Sequence, residues 1–348
     1  MFVAIRDLLF ARGRFALMGS VVALITLLVV MLSGLTAGLA RENISAIEDL
    51  PAEHLVFEAP GAEGEIDFGD STIPAQTATE WAQMPGVQQL EPLTIVMTRA
   101  QVDDRSVSVS AFAVAEESAL APEPVASEHV VLSEGAAEDL GVGPGAELEF
   151  AGHTVQVQSV AGQDSYSHTP VVWMSALDLP DDDATVLALT SEGADLATAD
   201  AELGTQTVPV GESVQAIGSY AAENGSLQLM RGLLLAISAL VIGAFFTVWT
   251  VQRSGEIAVL KAVGASTGYV LRDAVGQALV LLLIGTGTGA AAATGLGFLA
   301  AGSVPFVLNL TTVAVPAALL IGLGLLGAAV SLRRVTTVDP LTALGSAR

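Results

Sequence analysis

The chain has 348 residues, 52% of them hydrophobic and 14% charged, with a mean hydropathy of +0.62 and no cysteine. So apolar a composition excludes an ordinary soluble domain, and the lack of cysteine excludes a disulfide scaffold. The net charge of −24 argues against nucleic acid as a partner, because phosphate recognition needs a basic face.

Met1–Arg14 reads as a short cytoplasmic amphipathic helix, with Val3, Leu8, Leu9 and Phe10 on its apolar side and Arg6 and Asp7 among them. It runs into the first apolar stretch, Phe15–Ala40. A bilayer crossing needs about 20 residues, whereas a signal-peptide core has about 7–15, so this stretch is expected to stay as an anchor. It ends in S-G-L-T-A-G-L-A-R-E-N-I-S-A-I-E-D-L, where Gly34 and Gly38 are four apart, a spacing that permits close helix packing. Nothing breaks the helix before Pro51, so it is expected to reach about Leu50 and to carry Glu42 and Glu48 past the span.

Arg41–Ser226 is polar and reads as a mixed α+β domain outside the membrane. His54–Glu58 and Ile95–Thr98 are strand-like, and Ser106–Val114 alternates as a half-buried strand does. Ser133 is an N-cap for a helix to Leu140, and G-V-G-P-G follows as a turn. Glu147–Phe150 and Thr154–Val160 pair as a hairpin, and Pro170–Met174 is a further strand. Leu177–Asp183 and Ser191–Glu202 are acidic and loop-like or weakly helical, and Ser213–Glu223 leads helically into the second span.

Three further spans follow: Leu227–Thr250, Leu271–Gly302 and Leu308–Leu332, the last ending in a cytoplasmic tail, Arg333–Arg348. Span three carries Gly285, Gly287, Gly289, Gly295 and Gly297. Its G-T-G-T-G follows an apolar membrane run rather than a strand of a βαβ unit, which excludes a dinucleotide site and points to tight packing or a kink. The expected fold class is therefore a membrane α-helical protein with four transmembrane helices, one before and three after a mixed α+β extracytoplasmic domain.

Charge orients this layout. Of 37 acids, 33 lie between Arg41 and Arg231, where there are four bases. The other nine bases (Arg6, Arg12, Arg14, Arg253, Lys261, Arg272, Arg333, Arg334 and Arg348) all flank spans on one side. The positive-inside rule makes that side cytoplasmic, with both termini inside a plasma membrane. No Asp, Glu, Lys or Arg lies between Gly232 and Thr250 or between Ala274 and Leu332. Charges within spans mark ion routes; without them, an apolar cargo entering sideways from membrane lipid is the natural alternative to ion coupling.

Val251–Val270, between spans two and three, holds V-Q-R-S-G-E-I-A-V-L-K-A-V-G-A-S. Ile257, Leu260 and Val263 form an apolar stripe at helical spacing. The segment is an interfacial helix that turns the chain around or a docking surface for a cytoplasmic partner. It offers no nucleophile with a base and no metal spacing, and the chain has no Walker A pattern, so no catalytic residue is expected and the chain is not an enzyme by itself.

R-S-G-E-I-A-V-L-K-A-V-G-A-S resembles the signature of MacB/FtsX-type ABC transporter permeases, and R-R-V-T-T-V-D-P-L-T-A-L, Arg333–Leu344, is similar to their C-terminal end. The one-plus-three layout matches as well. The resemblance implies a permease homodimer whose copies each dock a separate cytoplasmic ABC ATPase, which binds the ATP. The coupling residues it implies are Glu256, Ile257, Leu260, Lys261 and Gly264. No intrinsic cofactor is implied.

Ser33–Glu48 is similar to the equivalent stretch in heme-exporting permeases of Gram-positive bacteria, which makes heme the expected cargo. Iron ligands in proteins include His and Met, and a carboxylate can bind ferric iron. The residues this implies are Glu42, Glu48, Met31, Met230 and His54, with Arg41 and Arg231 for the propionates. Beyond heme iron, no metal site is expected. Without the resemblance, the methionines read as packing and the charges as interfacial anchors, while His129 and His153 read as surface or edge residues and no histidine, His168 included, has a partner at metal-ligand spacing. Rival roles for the same build are mechanical transmission to cell-wall or lipoprotein partners, and export of antimicrobial peptides or lipids.

Overall fold

In the computed structural model, residues 12–61, 64–150, 152–253, 255, 259, 263–300 and 304–336 are described. The surface helix expected over Met1–Arg14 therefore lies outside them up to Ala11, as does the tail from Thr337. The chain divides into two compact units: the described residues up to Gly38 together with those from Ser226 onward, and Leu39–Gly225.

The first unit is helical. It holds most of α1 (Arg12–Glu48), followed by α6 (Gly218–Gln252, which it takes up at Ser226), α7 (Thr267–Ala300) and α8 (Leu310–Thr336). All four are long and apolar enough to cross a membrane. Their hydroxyls are satisfied within the helices, as hydrocarbon surroundings require. Thr26, Thr36, Ser238, Thr250, Thr286 and Ser331 each donate to the carbonyl one turn back, at 2.6–2.9 Å. Asn309 caps α8, its Oδ1 accepting from the Thr312 amide at 2.7 Å.

Two of the glycines in span three serve close packing against α1. A Cβ at Gly285 would lie 2.8 Å from the Val22 side chain, and one at Gly289 would collide with the Ala23 carbonyl and Thr26 on α1. Gly287 faces open space. Gly34 and Gly38, whose spacing suggests a helix partner, meet the turn before α8 instead. The Phe306 ring fills the space that side chains at Gly34 and Gly297 would need, and the Pro305 carbonyl lies against Gly38. The Val307 amide donates to the Gly34 carbonyl at 3.1 Å. Small residues let backbone, not only side chains, come into contact here.

The second unit is built on a ten-stranded sheet. Its strands are β1 (His54–Glu58), β2 (Val87–Val102), β3 (Arg105–Val114), β4 (His129–Leu132), β5 (Glu147–Phe150), β6 (His153–Val160), β7 (Ser165–Tyr166), β8 (Thr169–Ser175), β9 (Val186–Ser191) and β10 (Thr205–Pro209). The order β10-β1-β9-β2-β3-β8-β4-β6-β5 returns to β2, because Ala100 and Gln101 pair with Phe150 and Glu149. Six strands thus form a closed ring, and β9, β1 and β10 extend from the first half of β2. The β3–β8 and β4–β6 pairings are parallel and the others antiparallel.

Alternate residues of β3 and β8 feed two cores, following the period of two along a strand. Ala111, Ala113, Val172 and Met174 join Phe150, Leu148 and α3 (Glu134–Leu140) inside the ring. Phe112, Val114, Val171 and Trp173 face a second core with Phe57, Leu93, Ile44, Ile47 and Leu50. The sequence pattern suggests a half-buried β3, but Ser110–Val114 is buried on both faces, because α1 covers the side left over. An edge-to-face series, Phe57–Phe68–Tyr166–Phe112–Trp173, runs through this core with centroids 4.8–5.8 Å apart. A third cluster joins Trp81 of α2 (Ala75–Ala82) with Leu187, Leu189 and Ala199 of α4 (Leu196–Leu203). The Trp81 indole donates to the Thr205 hydroxyl at 3.1 Å. The short helix α5 (Val210–Ser213) and a 3-10 turn lead from β10 to α6.

At the end of the aromatic series, Trp173 Nε1 donates to Asp164 Oδ2 at 3.4 Å. Burial raises the Asp164 carboxyl above its ordinary 3.8, the bond from Trp173 opposing it. Burial likewise raises the Tyr166 phenol.

Two expectations follow from this packing. Gly289→Leu should destabilise the detergent-solubilised protein by about 1–3 kcal/mol, the scale of an overpacked core, while Gly287→Leu leaves its melting temperature nearly unchanged; thermal unfolding of both variants checks it. At Asp164 the folded state binds the proton more tightly than the unfolded chain, so its charged form costs stability at neutral pH. Asp164→Asn, which keeps an acceptor for Trp173, should raise the melting temperature at pH 7. The gain should shrink as pH falls through the raised folded-state value and be absent at 3.8 and below.

Candidate functional site

In the outer domain α1 buries Ile44 and Ile47, with Leu50 just past its end, and on the same turns it buries two polar side chains, Asn43 and Ser45, each 1% exposed. Buried polar groups need partners, and these come from the β7–β8 hairpin. Ser45 Oγ accepts from the Ser165 amide at 2.9 Å and donates to the Ser165 carbonyl at 3.3 Å. The hairpin turn is Ser167–His168, at φ +50 and +61. Two positive φ values are what a two-residue hairpin turn needs, though glycine or asparagine adopts them more cheaply. The tip is held by α1: the Ser167 amide donates to the Asn43 carbonyl at 3.0 Å and the His168 amide to the Glu42 carbonyl at 3.2 Å.

Side chains complete a polar node. His168 Nε2 lies 3.0 and 3.1 Å from the two Glu223 carboxylate oxygens, and its Nδ1 lies 3.9 Å from Glu42 Oε2. Asn43 Nδ2 is 3.0 Å from the same Nε2, and Asn43 Oδ1 accepts from Ser219 Oγ at 2.7 Å. Ser219 also meets Ser167 Oγ at 2.9 Å. The hairpin therefore ties α1 to the first turns of α6. The ring stands between two carboxylates, Glu42 and Glu223.

Of the residues expected at a heme site, Glu42 is in this node. Arg41 pairs instead with Asp49 at 3.4 Å, both half-exposed. Glu48 is exposed on α1. His54 opens β1 opposite Pro209 and Leu189, and its Nδ1 is buried without a hydrogen-bond partner. Met31, Met230 and Arg231 belong to the helical unit, where Met230 is exposed and the other two are part-buried. Asn43, Ser167, His168, Ser219 and Glu223 were not expected at a site. The one local signal for them is a polar pair, Asn43 and Ser45, on an otherwise apolar helix face.

Among the described residues, no group of three His, Asp or Glu side chains is arranged to hold a metal ion. A half-open cavity of about 280 Å³ lies elsewhere in the outer domain, lined by Glu128, Phe150, His153, Met174 and Asp178. Both Asp178 oxygens are committed there, to the Ser127 hydroxyl and the Glu128 amide. Of the expected coupling residues, Glu256, Ile257, Leu260 and Lys261 lie outside the described residues. Gly264 is described, at φ +101.

Comparison with known proteins matches residues 15–206 to the MacB-like periplasmic core domain and residues 229–340 to the FtsX-like permease C-terminal family. A putative hemin transport system permease protein HrtB of Staphylococcus haemolyticus is 26% identical over 99% of both chains. An uncharacterized ABC transporter permease of Mycobacterium tuberculosis is 23% identical, also over 99% of both. Among solved structures, the periplasmic region of MacB from Actinobacillus actinomycetemcomitans aligns with a TM-score of 0.37 and 13% identity, over 51% of this chain and 97% of that one. With four membrane-crossing helices, an α+β domain between the first and the rest, and a family match over more than half its length, this chain belongs to the MacB/FtsX-type ABC transporter permeases.

Proposed function

We propose that the chain is the permease of an ATP-driven heme exporter, working as a homodimer with a separate cytoplasmic ATPase on each copy. Its termini and the Val251–Val270 segment face the cytoplasm, where Glu256, Ile257, Leu260, Lys261 and Gly264 receive the ATPase. The observation that carries the reading is the exposed face of α6. Leu229, Leu233, Ile237 and Leu240 follow one another along it, all more than half exposed, with Met230 beside its first residue. The spacing of four, four and three residues keeps them on one helix face. No charged residue interrupts the helix between Gly232 and Thr250.

Such a face suits a flat, apolar cargo that is already dissolved in the bilayer, and it offers an ion no path. The full-length likeness to putative hemin transport permeases supports heme as that cargo. Met31 and Met230 are soft donors within the helical unit, and Glu42 and Glu48 supply carboxylates beyond it. Arg41 and Arg231 are the cations for the propionates. An exporter needs a site that lets go of its load, which favours such weak ligands over a pair of histidines.

Cells lacking the permease and its ATPase should stop growing at hemin concentrations that the parent tolerates. Growth equal to the parent would remove heme as the cargo and leave the permease assignment standing. Titrated with hemin in detergent, the protein should give a shifted Soret band. Met230→Ala and Glu42→Ala should each weaken binding by about tenfold, as losing a 1.4 kcal/mol contact does. Spectra and affinities matching the parent in both variants would remove these residues from the site.

A further inference from the structure

At the other end of α6 the helix leaves its span through a connected group of side chains. Trp249 is buried, edge-to-face with Phe246 at 6.0 Å and with Phe15 of α1 at 6.3 Å. The Arg253 guanidinium lies over the same indole, 5.1 Å from its centroid, close enough for a cation–π attraction. Arg253 Nη1 also donates to the Gln277 side-chain carbonyl. Gln277 Nε2 in turn donates to Asp273 Oδ2 at 2.9 Å, one turn earlier on α7.

Gln277 is 1% exposed, and a buried amide is costly unless both of its ends are bonded. Here the oxygen takes a cation and the nitrogen gives to an anion, so the amide bridges a basic and an acidic group that do not touch through it. The order matters: acceptor towards Arg253, donor towards Asp273. Leucine would fit the apolar surroundings of α7 but would take one hydrogen-bond partner from each of the two charged groups facing it.

We propose that Gln277 is a positioning residue for energy coupling, holding Arg253 and so the exit of span two at a fixed place on span three. Arg253 lies within Val251–Val270, the segment assigned above to the ATPase. A displacement applied there reaches α7 through Arg253–Gln277–Asp273 and reaches α1 through Trp249 and Phe15. The inference rests on the docking assignment of the preceding subsection and adds the residue that carries the displacement onward.

The test uses the full permease co-expressed with its ATPase and reconstituted in lipid nanodiscs. Two quantities are read, ATPase retained on the purified permease and ATP hydrolysis with and without hemin. Gln277→Leu should retain the ATPase and basal hydrolysis but lose hemin stimulation by fivefold or more. Gln277→Glu keeps the acceptor for Arg253 but sets a second carboxylate beside Asp273, and should be similarly impaired. Adding Asp273→Asn to Gln277→Glu puts an amide donor opposite the new carboxylate and should restore stimulation to within twofold of the parent.

Normal stimulation in Gln277→Leu overturns the proposal. So does a loss of ATPase retention or folding in both single variants that the double variant does not repair, since that is a structural role only. If Gln277→Leu does not accumulate, equal stimulation in Gln277→Glu and in the double variant overturns it. A parent permease that retains no ATPase removes the docking assignment, and the proposal falls with it; a parent that retains and stimulates the ATPase confines any failure to Gln277.

Discussion

Backbone touches backbone where α1 meets α7 and the Pro305–Phe306 turn, and the helical unit is organised around that contact. In hydrocarbon, apolar side chains gain nothing by leaving the solvent, so helix association depends on close fit. Gly285 and Gly289 allow α7 to reach the carbonyls of Gly19 and Ala23, and Gly34 and Gly297 make room for one phenyl ring. Bulk on either side would separate the helices by the width of a side chain. Phe306 apart, other large residues of the unit are placed elsewhere, Phe246 and Trp249 buried towards the Arg253 end of α6 and Leu233, Ile237 and Leu240 on its exposed face.

The outer domain solves a different problem, covering a strongly bonded sheet on both sides. The closed ring, together with α3, covers one side of β3 and β8. The other side needs an apolar partner, and Ile44 and Ile47 of α1, with Leu50 just beyond its end, provide it. The same turns bury Asn43 and Ser45, whose hydrogen-bonding groups are met by the β7–β8 hairpin and by Ser219 of α6. The positive φ angles of Ser167 and His168 are tolerated because each amide gains a carbonyl of α1. Packing and polar satisfaction at this place specify one another, which is how a short, glycine-free turn is held in one conformation.

How much of this could be read from residues alone depends on how far apart the partners lie. The four spans were legible because a crossing needs a long apolar run and nothing else. The Ser133 cap was legible because its partner, the Ala136 amide, is three residues away, as was the β5–β6 hairpin. The small-residue spacing at Gly34 and Gly38 signalled a close approach but not its nature, since a turn 270 residues on leaves no trace in the helix it touches. The acidic stretch after Pro180 hid β9, whose V-L-A-L run is too short to distinguish from a buried turn of helix. The polar node was least legible: Asn43 and His168 are 125 positions apart, and nothing local to S-Y-S-H-T-P distinguishes a docked hairpin from an exposed one.

The ring closure at Ala100–Phe150 bears on how crowded neighbours behave. A sheet with two open ends offers two rows of unpaired amides to any other copy, and membrane proteins hold their outer domains at high local density. Here one end is consumed by β2, so the strand order leaves β10 as the outer strand of the extension. That strand is five residues long and ends at Pro209, which has no amide to give. At its centre the Thr207 amide is taken by Asp200 at 2.9 Å. Short edges, prolines and pre-occupied amides are the devices that stop strands from joining edge to edge. The edge presented by β10 is therefore a poor template for another strand.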